Sequence, residues 1–245
     1  MSKTEQDHGW TAVPLSHSKL LASRPEKKES QPMNEADIPL PDSPLVKAVM
    51  AYAKENLRAE TFHHSMRVFY YGTYTAYTVP CVCQAITTQH FPTWTYSPET
   101  YLLTCLLHDI GTSAANLRAT YQSFEFYGAQ LALALLSSHK SPQAQSEAVA
   151  EAIIRHQDLG ETGNITTVGA LIQLATVFDN MGMNGELVHM GTVENVVEAW
   201  PRKGWSGCFG KTIREEIGLK PWCHTTIIEG FAEGVEGNKL MEPYE

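Results

Sequence analysis

The chain has 245 residues, of which 43% are hydrophobic, a composition that supports a buried core and either one compact domain with tails or two small ones. Its formal net charge is −9, with only 18 Lys and Arg. That argues against a nucleic-acid surface, which needs clustered cations to neutralise phosphates, but leaves a small substrate open. The five cysteines (Cys81, Cys83, Cys105, Cys208, Cys223) are odd in number and irregularly spaced. They read as reduced thiols rather than a disulfide framework. The stretch Val68–Pro98 has no Lys, Arg, Asp or Glu, yet Thr, Gln, His and Pro interrupt it, so it is not expected to cross a membrane. The N-terminus has no apolar signal region. A cytoplasmic location with no membrane partner is the expectation.

Residues 1–43, with Pro14, Pro25, Pro32, Pro39 and Pro41, read as an extended lead-in with little apolar surface to offset ordering entropy. Within it, Gly9–Pro14 is expected to dock, because Trp10 is costly to leave in water. From Pro44 the reading is helical. Asp42 or Ser43 caps a helix with Pro44 at its first position. Phe62–Tyr77 carries Phe62, Met66, Phe69 and Tyr70 on one stripe. Ser97 caps a helix that starts at Pro98. Further helices are expected over Phe124–Ser138, Gln143–His156 and Thr166–Phe178, the last two with apolar residues at helical spacing. No strand alternation stands out. Residues 181–210 hold six glycines and are expected to be irregular, either a lid beside a site or a plain connection. A last, weakly patterned helix is expected around Ile227–Lys239. The fold class is all-α. Its expected organisation is a lead-in (1–43), a helical domain (44–185) and a C-terminal extension (186–245) that completes the domain and forms a lid or an oligomer contact.

The doublet His108-Asp109 closes the apolar run Leu102–Leu107, placing two metal-ligand types where a helix meets a loop. His63 or His64 upstream and Asp179, at the end of Leu171–Phe178, complete a possible four-residue set. Imidazoles and carboxylates suit zinc, manganese or ferrous iron, and two His with two Asp leave room for water, as catalytic sites require. His156 closes an apolar helix face and points inward, either to relay a proton or as a core His bonded to a carbonyl. The loop Gly111–Asn116 is small and neutral. Between Tyr101 and His139 the only Lys or Arg is Arg118, whereas a phosphate substrate calls for cations nearby.

These features resemble the HD-domain superfamily of helical metal-dependent enzymes over roughly residues 44–185. The resemblance implies that His64, His108, Asp109 and Asp179 are the metal ligands. His64 is preferred to His63 because the family's ligand His immediately precedes Ser, with Arg three residues on. Two-metal members carry two further His between the doublet and the last Asp. Here only His139, in a loop, and His156 fall in that interval, so one metal per chain is expected.

A narrower resemblance rests on longer segments: Gly9–Pro14, His64–Tyr70, Leu103–Thr112, Ser123–Gly128, Ala150–His156 and Lys220–Thr226. These are similar to the fungal cyanamide hydratases, nearly end to end, with departures over 15–43 and 181–203. What this implies is hydration of cyanamide to urea on one zinc ion. Asp109 or Asp179 would take a proton from water, and His156 would pass one to the nitrile nitrogen. Thr112 and Asn116 would bind the amino end, with His156 and Asn180 also at the substrate. A homo-oligomer is expected, with Trp205, Trp222 and the tail packing on a neighbour or closing the pocket. The alternatives are an HD-type phosphohydrolase of nucleotide monophosphates and a non-catalytic helical module that keeps the metal for stability.

Overall fold

In a computed structural model that describes residues 6–25, 29–72 and 86–245, the proline-rich lead-in folds back along the helices that follow it. Strand β1 (Ala12–Pro14) pairs antiparallel with β2 (Asn164–Thr166), Val13 opposite Ile165. Trp10 docks as expected, its Nε1 donating to Ala144 O at 2.9 Å. Helix α1 (His17–Ala22) follows, and Leu15, Leu20, Met33 and Ile38 are all buried. The lead-in is therefore less extended than its composition suggests. Its few apolar residues are spaced without period, and Leu15, Leu20, Met33 and Ile38 join the main core.

Helix starts follow the capping chemistry. Ser43 Oγ accepts from Val46 N at the head of α2 (Pro44–Asn56), with Pro44 in the first turn. Helix α3 (Ala59–Gly72) is buried along most of its length. Its expected continuation to Tyr77 lies outside the described residues, as do Cys81 and Cys83. Beyond α4 (Ile86–His90), Ser97 caps α5 (Pro98–Leu107), whose residues from Thr100 onward are all buried. A tight turn (Ile110–Thr112) and α6 (Ala114–Ala119) lead to α7 (Phe124–Ser138), α8 (Gln143–Arg155) and α9 (Thr167–Met181). Helices α3, α5, α8 and α9 pack on one another and form the centre of this all-α fold. Among the described residues the only sheet is the short β1–β2 pair, which no alternating pattern announced.

Residues 181–210 are more regular than expected. Gly182, at φ +67°, ends α9 in the left-handed conformation and returns its N–H to Phe178 O. A turn at Gly185–Leu187 then leads to α10 (Met190–Ala199), with Thr192, Val193, Val196 and Val197 on its buried face, and to α11 (Trp205–Leu219). The expected helix over Ile227–Lys239 is a turn at His224–Ile227 followed by α12 (Phe231–Glu236). Trp205, Phe209 and Ile213 pack with Phe231, Ala232 and Val235 in a second apolar cluster. Cys105, Cys208 and Cys223 carry free thiols. Among the described residues, no helix is long and apolar enough to cross a membrane.

Gly111 fixes where the doublet sits. A Cβ on Gly111 would lie 2.1 Å from Phe124 O, a backbone atom that cannot move aside cheaply. The turn after Asp109 thus presses directly on the start of α7. Gly111→Ala is expected to destabilise the protein by about 1–3 kcal/mol through overpacking. A fall in the urea midpoint at unchanged slope would report it, and an unchanged midpoint would contradict this packing.

Candidate metal centre

Two of the functional histidines cap helix ends and a third lies within a helix. His64 is on α3. His108 is the C-terminal cap of α5, with Asp109 beside it, and His156 is the corresponding cap of α8. The two capping histidines share a device: His108 Nδ1 bonds Cys105 O at 2.8 Å and His156 Nδ1 bonds Ile153 O at 2.7 Å. Each carbonyl belongs to a last helical turn and lacks a partner within its helix. A carbonyl can only accept, so each Nδ1 carries the proton and each Nε2 presents a lone pair.

His64 reaches the same state by another route. Its Nδ1 donates to Asp179 Oδ2 at 2.6 Å, leaving Nε2 free. His64 Nε2 lies 3.2 Å from His108 Nε2 and 3.8 Å from Asp109 Oδ2, and His108 Nε2 lies 3.3 Å from that oxygen. Both Asp109 oxygens are buried without a hydrogen-bond partner. Two lone pairs and a carboxylate facing one another at these separations call for a cation between them. Ligand atoms about 2.1 Å from a tetrahedral ion stand roughly 3.4 Å apart, so the set fits a divalent metal. Among the described residues it is the one group of three or more such side chains close enough to hold an ion.

The protonation states agree. Burial pushes the His64 and His156 imidazoles down to about 4, so both are neutral at pH 7. Burial works against ionisation of Asp109, but the adjacent His108 outweighs it and holds the carboxyl at about 2. Burial lowers His108 too, but Asp109 outweighs it and holds that imidazole above its ordinary value, so the pair shares a proton that a metal ion would displace.

Asp179, expected as a fourth ligand, lies outside the group His64, His108 and Asp109, and its oxygens accept from three side chains. Besides His64, it accepts from Arg67 Nε (3.0 Å) and Arg67 Nη2 (2.9 Å), and from Arg202 Nη1 (2.8 Å). All four residues are fully buried. Burial would raise the Asp179 carboxyl, but the two guanidiniums drive it far below the ordinary range. Asp179 stands behind His64 and orients its ring, an arrangement common behind metal-bound histidines. Arg202 also bonds Glu245 Oε1 at 2.7 Å. Arg67 was visible three residues after His64 in the sequence, whereas nothing marked Arg202.

Other expected residues fall in different places. His63 turns away from the cluster, its Nδ1 bonding Pro201 O at 2.9 Å beside Trp200. Thr112 and Asn116 do not line the cavity: Thr112 Oγ1 donates to Asp109 O and Asn116 Nδ2 to Ile110 O, so both brace the turn after the doublet. Trp205 is buried within this molecule, stacked on His64 at 4.3 Å and donating from Nε1 to Asn180 Oδ1 at 2.8 Å. His139 is an exposed helix cap, away from the cluster.

His108, Asp109, His156, Gln157, Thr176 and Asn180 supply the polar wall of a cavity whose apolar wall includes Leu159, Met181, Phe209, Ile228 and Phe231. Its volume is ≈10 Å³ for the centre of a water-sized sphere. No Lys or Arg is among the described residues lining it. Gln157, Thr176, Phe209 and Phe231 had no signal in the sequence that placed them at the cavity.

Removing the charge of Asp179 strands two buried guanidiniums. Asp179→Asn is expected to cost about 3–5 kcal/mol of unfolding free energy, the usual penalty for breaking a buried ionic cluster. Equilibrium denaturation that finds Asp179→Asn as stable as the parent would contradict this role.

The HD domain family pattern matches residues 61–181, a span that contains His64, the doublet, His156 and Asp179. Two proteins of Saccharomyces cerevisiae, the cyanamide hydratases DDI2 and DDI3, are each 42% identical to this chain over 198 residues. Each alignment covers 80% of this chain and 83% of the yeast protein. The chain therefore carries an HD domain and belongs to the same family as these yeast cyanamide hydratases.

Proposed function

We propose that this protein is a metal-dependent hydro-lyase that hydrates cyanamide to urea, with one zinc ion held by His64, His108 and Asp109. The observation that carries the reading is the cavity beside those residues. It is small, and no described residue lining it is Lys or Arg. Arg67 and Arg202, the nearest cations, are spent on Asp179. A nucleotide monophosphate needs a cleft on the order of several hundred Å³ with cations for its phosphate. Cyanamide is linear, neutral and three heavy atoms long. The names of the yeast relatives support the same substrate.

A divalent ion bound there supplies Lewis acidity and lowers the pKa of water. The chain's own groups do the rest. Asp109 contributes a carboxylate that stays ionised despite burial. Asp179 fixes the His64 ring from behind, through Nδ1. His156, with its proton on Nδ1 and a lone pair on Nε2, first accepts a proton from the attacking water. It then returns that proton to the nitrile nitrogen as oxygen adds to the nitrile carbon. The isourea so formed tautomerises to urea, and no group leaves. His156 is thus a relay that begins as a base. Phe209, Ile228 and Phe231 limit solvent to what the cavity admits. Self-association belongs to the same reading. Tyr121 and Trp222 are 85% and 62% exposed and joined by Trp222 Nε1 to Tyr121 O, an aromatic patch suited to a second copy. Sedimentation as a monomer would remove that part.

Purified protein is expected to release urea from cyanamide, to lose this activity on exhaustive chelation and to regain it with zinc. A panel of nucleotide monophosphates should give no phosphate. Asp109→Ala should be inactive, and His156→Gln should lower kcat about 10²–10⁴-fold with the metal still bound. Phosphate release from the panel, or full activity in metal-free protein, would overturn the reading.

A further inference from the structure

We infer that Gln157 determines specificity by accepting a hydrogen bond from the amino N–H of the substrate, an inference that rests on the cyanamide reading above. Gln157 directly follows His156, is 3% exposed, and contributes to the cavity wall. Its Oε1 is buried without a partner. A buried amide oxygen left unpaired is costly, and at a cavity wall a bound water or ligand satisfies it.

The rest of the polar wall gives that oxygen a meaning. Asp109 offers the carboxylate oxygen not given to the metal, and His156 offers the Nε2 lone pair. Thr176 spends its one hydroxyl proton on Ile172 O (2.8 Å) and Gln173 O (3.1 Å), so it offers only lone pairs. Asn180 has its Oδ1 taken by the Trp205 indole N–H, which leaves Nδ2 as its free end and a donor. The wall is therefore rich in acceptors, with amide donors at Asn180 Nδ2 and Gln157 Nε2. A complementary ligand has several N–H groups and at least one acceptor. Cyanamide has two N–H and a nitrile nitrogen; urea has four N–H and one carbonyl oxygen. A plain nitrile of the same length and shape, such as acetonitrile, has no N–H and leaves Gln157 Oε1 unpaired when bound. Sites built to hydrogen-bond a substrate reject analogues that lack the group for this reason.

The test compares the parent with Gln157→Met, which keeps the side-chain length and removes the acceptor. Metal content and thermal melting establish that the variant is folded and loaded. KM for cyanamide and the inhibition constant of urea are both expected to rise about 10- to 100-fold. kcat should change less than KM. The inhibition constant of acetonitrile, measured as a competitor, is expected to stay level or fall. If the cyanamide and acetonitrile constants shift by the same factor, or neither shifts, Gln157 does not read the amino group, while the hydratase reading of an active parent survives. If the parent itself makes no urea, that reading falls and this inference falls with it.

Discussion

The buried carboxylate of Asp179 is the point on which the rest of the site depends. It receives Arg67 from α3, Arg202 from the chain after α10 and the Nδ1 proton of His64. Its backbone carbonyl also accepts from Asn238 and Arg202. Charges are expensive to bury singly, and here Arg67 and Arg202 are balanced by Asp179 and Glu245. Two segments far apart in sequence, α3 and the chain at Arg202, are drawn to one carboxylate, and His64 is aimed by the same contact. The network is therefore both a clamp on the fold and the device that sets one imidazole.

The other half of the centre depends on helix ends. α5 and α8 each end on a histidine whose Nδ1 satisfies a last-turn carbonyl. That local economy gives His108 and His156 the same tautomer and points two lone pairs at one small space. Helix packing thus does what a chain of side-chain supports does in other sites. The site is assembled from α3, α5, α8 and α9, the four helices whose mutual packing forms the centre of the core. Rigid placement of this kind is what a reaction with a three-atom substrate requires, because such a substrate has almost no remote surface with which to bind.

How much of this was legible in the sequence varies with the physics of each feature. Capping Ser-Pro pairs at Ser43-Pro44 and Ser97-Pro98 are local signals, and the helices start there. The apolar spacing of α8 and α9 is local as well, although α9 is buried on all sides from Thr167 to Asn180. The doublet was visible because two strong ligand types are adjacent. The surroundings of Asp179 were not, since the sequence does not show that arginines 23 and 112 residues away bond its carboxylate. Thr112 and Asn116 illustrate the converse. Their spacing past the doublet suggested the substrate, but short polar side chains bond the nearest backbone carbonyls before anything else. The glycines of 181–210 suggested an irregular strip because their number was counted and their positions were not. Gly182 and Gly204 sit at helix ends, and the buried face of α10 lies between them. Gln157 carries no pattern at all. It becomes informative only when the cavity and its unpartnered oxygen are seen together.

The central claim is that His64, His108 and Asp109 form one metal centre, with Asp179 outside it. Calorimetric titration of metal-free protein with zinc tests this most directly when run on the parent, Asp109→Ala and Asp179→Asn. The account predicts one ion per chain in the parent and none in Asp109→Ala. For Asp179→Asn it predicts one ion per chain at an affinity weakened roughly 10–100-fold, the usual effect of losing a group that orients a ligand. Two ions per chain in the parent, undiminished binding by Asp109→Ala, or complete loss of binding in a folded Asp179→Asn would contradict it.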